Sequence, residues 1–298
     1  MKIEAAAPRR RFVIALEDGA EVVARVYGKG PRLVLSHGNG LAIDAYETFW
    51  QRLTGRYEVV MFDFRHHGLS TAYREPLQNW PQFIRDFDVV TTAIQCELGP
   101  AEAVGIFHSM SALTALIHAS EYPTTWRGIV AFEPPVPPRP EHEDFEPFFS
   151  LHRDLAEGAA RRRVSFESPE RLATSFGSRP SFKRIDPQDL QRLSAATLRR
   201  NAQSGRYDLA CAREFESETF RLRNLGDAWG RVGAASLPVH VVAGNPSSDE
   251  NQCLATVACR IAQDGGFGFE AVADSTHFLQ IERPAECVTA VERFIASL

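Results

Sequence analysis

The chain has 298 residues, 44% of them apolar, with 33 basic and 38 acidic side chains and a net charge of −5. That length suits one large α/β domain with a sizeable insertion, and the composition is ordinary for a globular enzyme. No nucleic-acid partner is expected, since the short basic runs Arg9–Arg11 and Arg161–Arg163 lack interleaved aromatics and read as solvated faces. Taken in chain order, β-like runs fall at Arg11–Leu16 and Glu21–Tyr27, a hairpin turned by Asp18-Gly19, and then at Leu33–Ser36. A helix is expected near Ala45–Leu53, a strand at Glu58–Phe62, a helix at Trp80–Leu98, a strand at Ala103–Phe107 and a helix at Ser111–Glu121. The strand Gly128–Phe132 follows. After a long gap come the strand Val239–Ala243, the helix Gln252–Gln263, the turn Gly265-Gly266, the strand Phe267–Val272 and the helix Pro284–Ala296. Strands alternating with helical patterns imply a mostly parallel twisted sheet with helices on both faces.

The gap breaks the rhythm. About 100 residues separate Phe132 from Val239, far more than an ordinary connection. The segment opens on the stiff Pro134-Pro135-Val136-Pro137-Pro138-Arg139-Pro140 and holds an amphipathic pattern over Asp186–Arg199 with a capped start. It is rich in aromatics: Phe145, Phe148, Phe149, Phe166, Phe176, Phe182, Phe215, Phe220 and Trp229. We expect residues 134–232 to form a helical cap over the carboxyl edge of a core made of residues 1–133 and 233–298. A peripheral helical decoration is the plainer alternative.

Three separated segments read as one site. Ser109 ends an apolar run, Ala103 to His108, and opens a helical one, the place where a strand-to-helix turn holds a hydroxyl out of both elements. The others are His37-Gly38-Asn39-Gly40 and Asp274-Ser275-Thr276-His277-Phe278. The plain readings are a helix N-cap for Ser109, an ordinary Gly/Asn turn for residues 37–40 and a core or surface histidine for His277.

With Asp63-Phe64-Arg65-His66-His67-Gly68-Leu69-Ser70 and His277-Phe278-Leu279-Gln280-Ile281-Glu282-Arg283-Pro284, these segments resemble, in order, those of the α/β-hydrolase superfamily from about Phe12 to the C-terminus. The resemblance implies the α/β-hydrolase fold with Ser109 as nucleophile, His277 as base, and the amides of Asn39 and Met110 as the oxyanion hole. The family prefers small residues two before and two after the serine; this chain has Phe107 and Ser111. Its usual acid position, three past Gly244, is Ser247, with Asp249 and Glu250 just beyond. The alternative acid is Glu133, at the end of Gly128–Phe132, as in lactone-cleaving members that act on zearalenone. Glu133 is preferred to Asp249.

His66-His67 falls on a loop of the family rather than on a metal motif, and Glu141-His142-Glu143-Asp144 reads as a solvated linker. No phosphate loop or dinucleotide fingerprint is present, so no cofactor and no metal are expected. Met1–Arg11 has no apolar stretch behind it, no window reaches the ~18 apolar residues of a membrane span, and five cysteines are scattered without a Cys-x-x-Cys pair. The expectation is a cytoplasmic protein with reduced thiols and no membrane partner. Its function is read as hydrolysis of a carboxylic ester or lactone with an apolar or aromatic portion. Carbon–carbon bond hydrolysis and slow-turnover ligand reception on the same scaffold are the alternatives, and a homodimer is left open.

Overall fold

Val, Ile and Phe dominate the central strands, and their alternate side chains find apolar cover on both faces. The computed structural model describes residues 7–72, 80–123, 125–245 and 252–298. The chain begins with β1 (Arg10–Ala15), β2 (Glu21–Tyr27) and β3 (Arg32–Ser36), then α1 (Glu47–Trp50), β4 (Glu58–Phe62) and α2 (Trp80–Leu98). It continues through β5 (Ala103–His108), α3 (Met110–Glu121) and β6 (Trp126–Phe132). Between β6 and the next sheet strand lie α4 (Phe145–Ala160), β7 (Ser165–Phe166), α5 (Pro169–Gly177), α6 (Pro187–Ala196), β8 (Leu198–Arg200), β9 (Tyr207–Leu209), α7 (Arg213–Phe220) and α8 (Ala228–Gly233). The core closes with β10 (Val239–Ala243), α9 (Gln252–Asp264), β11 (Gly268–Ala271), α10 (Leu279–Glu282) and α11 (Pro284–Ser297).

Eight strands form one sheet in the order β1-β2-β4-β3-β5-β6-β10-β11. Its β1–β2 and β2–β4 pairs are antiparallel, and all later pairs are parallel. Successive side chains of a strand point to opposite faces. Val34, Ile129, Ala131 and Val241 accordingly join one buried cluster, while Leu33, Leu35, Val130, Phe132 and Val242 join the other. The first cluster also takes in apolar residues of α2, α3, α8 and α9, the second those of α1, α10 and α11. This is the expected α/β-hydrolase architecture. Strand order places the ends of β3, β5, β6 and β10 side by side.

Three local differences from the sequence reading have physical causes. The helix expected over Ala45–Leu53 is a 3-10 turn, Ile43–Tyr46, followed by the short α1. Asp63 Oδ1 accepts the Ile43 N–H at 2.8 Å, and Tyr46 is drawn toward the end of β5. The pattern over Asp186–Arg199 is helical only to Ala196, with Asp186 capping Gln188 N–H at 2.8 Å. The chain then turns to pair β8 with β9, and β7 completes a small sheet of order β7-β9-β8. Strands of two or three residues carry no periodicity to read.

The boundary drawn at 232/233 falls inside α8. Its Trp229 sits in the core cluster and donates its indole N–H to Asp264 at the end of α9, 3.1 Å away. Farther back in the segment, Arg199 donates to the carbonyls of His67, Gly68 and Ser70, fastening the small sheet to the loop after β4. Among the described residues, no helix is long and apolar enough to cross a membrane, and all five cysteines are unpaired thiols.

Candidate active site

At the junction of β5 and α3 the chain reverses on Ser109, whose φ of 53° and ψ of −114° place it in a strained region for a residue with a side chain. Such a conformation costs about 1–3 kcal/mol and persists only where its surroundings enforce it. Here the Ser109 N–H donates to Phe132 O at 2.8 Å, which fixes the turn against β6. Ser111 tightens it from the other side. Its hydroxyl accepts from His108 N–H and donates to His108 O, both at 2.9 Å, a double closure that glycine cannot make.

Phe107, where a small residue is expected, has room because of Gly105. The two residues face the same side of β5, and a Cβ on Gly105 would overlap Phe107 Cε2. The ring instead packs over Gly105 and edge-on against Phe87 and Trp126, within the core cluster and away from Ser109.

Ser109 Oγ lies 3.1 Å from His277 Nε2, and His277 Nδ1 lies 2.7 Å from Glu133 Oε2. Glu133 is buried at the end of β6, with a φ of 42°. Its Oε1 accepts the Gly244 N–H at 2.6 Å, while its own N–H donates to Val242 O at 2.9 Å. With one carboxylate oxygen accepting from Gly244 N–H and the other accepting from Nδ1–H, the Nε2 lone pair faces the serine hydroxyl. This arrangement can carry a proton from Oγ to Nε2 while Nδ1–H stays on the carboxylate. Asp249, the other candidate acid, lies outside the described residues, as do Ser247 and Glu250.

The loop that carries His277 is pinned twice. Glu282 accepts from Thr276 N–H and from its hydroxyl. His108 donates from Nε2 to the His277 carbonyl at 2.9 Å. Its other nitrogen, Nδ1, accepts the Tyr46 hydroxyl at 2.7 Å, and that hydroxyl in turn accepts the Gly38 N–H at 3.1 Å. Every proton in this chain has one direction, from the Gly38 loop through Tyr46 and His108 to the His277 loop. Burial drives the His108 imidazole well below its ordinary range, so it stays neutral.

Sequence reading assigned neither Tyr46 nor His108. The visible signal was a histidine at the end of a strand whose other residues are all apolar. Tyr46 gave none, because only the fold brings it to β5.

The residues named for an oxyanion hole adjoin this line. A Cβ on Gly38 would stand 2.9 Å from His108 Nδ1 and 3.2 Å from Ser109 Cβ, so the loop passes over the elbow only because residue 38 has no side chain. Asn39 follows, and its side-chain amide donates to Glu216 O at 2.9 Å. Met110 opens α3, and the first amides of a helix have no carbonyl of their own helix to bond.

The histidines nearby are structural. His37 donates from Nδ1 to Gly38 O and accepts from Phe64 N–H. His67 donates to Arg65 O and accepts from Gly40 N–H. Burial lowers both imidazoles, His67 the further. Among the described residues no group of three or more His, Cys, Asp or Glu is gathered to hold a metal ion.

A cavity of about 620 Å³ opens above Ser109 and His277. Of the aromatics singled out in the inserted segment, Phe176, Phe182 and Phe220 reach it. Phe148, Phe215 and Trp229 are packed into the interior. Phe176 stacks on Phe182 at 4.5 Å, and Phe182 on Phe278 at 4.8 Å, a ladder of three rings ending beside His277.

A family model for alpha/beta hydrolases matches residues 33–290. The E-2-(acetamidomethylene)succinate hydrolase is similar in structure, with a TM-score of 0.76 at 19% identity over 96% of this chain and 99% of that one. The thioesterase domain from the curacin biosynthetic pathway gives 0.74 at 16% over 95% and 99%. A thermophilic esterase from Thermogutta terrifontis gives 0.70 at 17% over 97% and 98%. These likenesses show the fold. No curated protein matches the sequence. On the family match and the architecture together, the chain belongs to the alpha/beta hydrolase family.

Proposed function

We propose that the protein is a serine hydrolase that cleaves a carboxylic ester or lactone through an acyl-enzyme. The observation that carries this reading is the unbroken hydrogen-bonded line from Ser109 Oγ through His277 to a buried, doubly held Glu133. In this mechanism Oγ attacks the acyl carbon as its proton passes to Nε2, and the tetrahedral oxyanion is received by the Asn39 and Met110 amides. The C–O bond then breaks, Nε2 returns the proton to the departing alcohol oxygen, and the acyl group stays on Ser109. Water, deprotonated by the same nitrogen, releases the acid and restores the serine. Glu133 keeps the imidazole in the Nδ1–H tautomer and stabilises its charged form; Asp249 is the rival for this role.

Residues 134–232 act as the cap, and the ring ladder at Phe176, Phe182 and Phe278 favours an apolar or aromatic portion in the substrate. The presence of an esterase, a thioesterase domain and a hydrolase among the similar structures supports acyl hydrolysis as the reaction class.

The test is turnover of 4-nitrophenyl acetate by the wild type and by Ser109→Ala. Multiple turnover should fall by about 10³-fold or more in the variant. Turnover that survives the substitution removes Ser109 as nucleophile. A wild type that releases at most one equivalent favours the receptor reading.

A further inference from the structure

The catalytic cavity does not end at its ring ladder. A cleft of about 360 Å³ adjoins it and is lined by Arg162, Arg163, Arg171 and Arg179 together with Phe166 and Phe176. Arg162, Phe176 and Arg179 border both spaces. The two guanidinium carbons each lie 5.8 Å from the centroid of the Phe176 ring, so the aromatic shelf of the catalytic cavity is flanked by cations.

Facing acids offset only part of this charge. Glu216 pairs with Arg162, and both are largely buried. Glu167 stands 4.0 Å from Arg171, with both side chains about two-thirds exposed, a separation that contributes little. Asp154 lies on the wall of the catalytic cavity, two turns earlier on α4. Arg163 and Arg179 are exposed, and neither forms an ion pair among the described residues.

Guanidinium groups are fixed forks that bind carboxylates two bonds at a time, and they keep their charge at any working pH. We propose that this cleft is a subsite for a carboxylate carried by the substrate. The hydrolase then acts on the half-ester of a dicarboxylic acid, with the hydrocarbon on the Phe176–Phe182–Phe278 ladder and the free carboxylate at Arg179 and Arg163. This rests on the serine-hydrolase reading and deepens it. Arg162 is already engaged with Glu216 and holds the shelf; Arg179 and Arg163 carry the recognition.

The experiment compares two matched pairs of activated esters: 4-nitrophenyl hydrogen adipate against 4-nitrophenyl hexanoate, and the hydrogen suberate against the octanoate. For at least one chain length the wild type should favour the anionic ester by about tenfold or more in kcat/KM. The preference should shrink as NaCl rises toward about 0.5 M. Arg179→Gln should cut the preference for the anionic over the neutral ester about tenfold, through KM, with Arg179→Lys in between.

Equal rates on both members of each pair, or a preference for the neutral ones, overturn the subsite and leave the hydrolase reading standing. Failure to cleave any ester overturns both. Competition against hexanoate hydrolysis supplies the second arm. Adipate should inhibit at concentrations where inorganic phosphate does not, and the reverse order would overturn the carboxylate in favour of a phosphoryl group.

Discussion

Replacing Glu133 with Gln changes one atom and removes a charge, yet the structure leaves the amide no acceptable orientation. With its oxygen toward Gly244 N–H, where Oε1 now accepts at 2.6 Å, the NH₂ faces His277 Nδ1. The imidazole must then carry its proton on Nε2, and the lone pair that takes the serine proton is gone. Flipped, the amide oxygen meets Nδ1–H but two donors oppose each other at Gly244. The imidazolium formed during attack also loses a full negative charge 2.7 Å away. At an effective dielectric near 20 such a pair is worth about 6 kcal/mol, which corresponds to a fall in kcat of about 10⁴-fold. Steady-state kinetics on 4-nitrophenyl acetate read the effect, with circular dichroism and a thermal melt to show that the variant is folded. A folded Glu133→Gln protein that keeps more than about a tenth of the wild-type kcat would refute the reasoning and pass the role to Asp249.

Three further outcomes follow from other contacts. Tyr46→Phe leaves the Gly38 N–H and His108 Nδ1 without their shared partner; kcat should drop about tenfold with KM little changed, and an unaltered kcat would show that the base loop needs no such tether. Gly105→Ala forces a Cβ into Phe107, so its urea midpoint should report about 1–3 kcal/mol of lost stability. Phe107→Leu added to it should restore part, and a wild-type midpoint in the single variant would contradict the packing.

Seven of the nine histidines sit below their ordinary range because burial penalises the charged form, His66 and His152 at about 4. Below about pH 6.5 the unfolded chain therefore takes up protons that the folded chain refuses, and each buried histidine withdraws up to ~1.4 kcal/mol of stability per pH unit. Stability should be full above that point and decline toward pH 4; a melting temperature that is flat from about pH 7.5 to 5 would contradict this.

The sheet was legible because buried strands advertise themselves. Runs such as Leu33–Ser36 and Gly128–Phe132 have apolar neighbours on both faces and stand out from any flanking pattern. The positions of Ser109 and His277 were legible for a different reason: each follows a strand at a fixed place in the order of elements. Glu133 was harder, since a carboxylate beside a proline pair looks the same in a solvated linker as in a buried corner, and only its two hydrogen bonds distinguish them. The β7–β9 sheet and the Tyr46–His108 chain were out of reach. One consists of strands too short for a period, and the other joins residues 62 positions apart through a single hydroxyl. Phe107 misled in the opposite direction, because its compensation at Gly105 acts through space on one face of a strand.

The corner at Glu133 also bears on timing. The residue is fixed by its backbone to Val242 and by its side chain to Gly244, and the next two residues are prolines whose φ cannot turn. The carboxylate is therefore anchored to β10 and the residue after it rather than to the segment that follows, and a movement of that segment need not displace it. Under the proposed assignment, admission of substrate and the chemical step are kinetically separable. A more viscous solvent should slow kcat/KM for good substrates by hindering admission, while kcat, set by a base whose acid is anchored in the core, stays level.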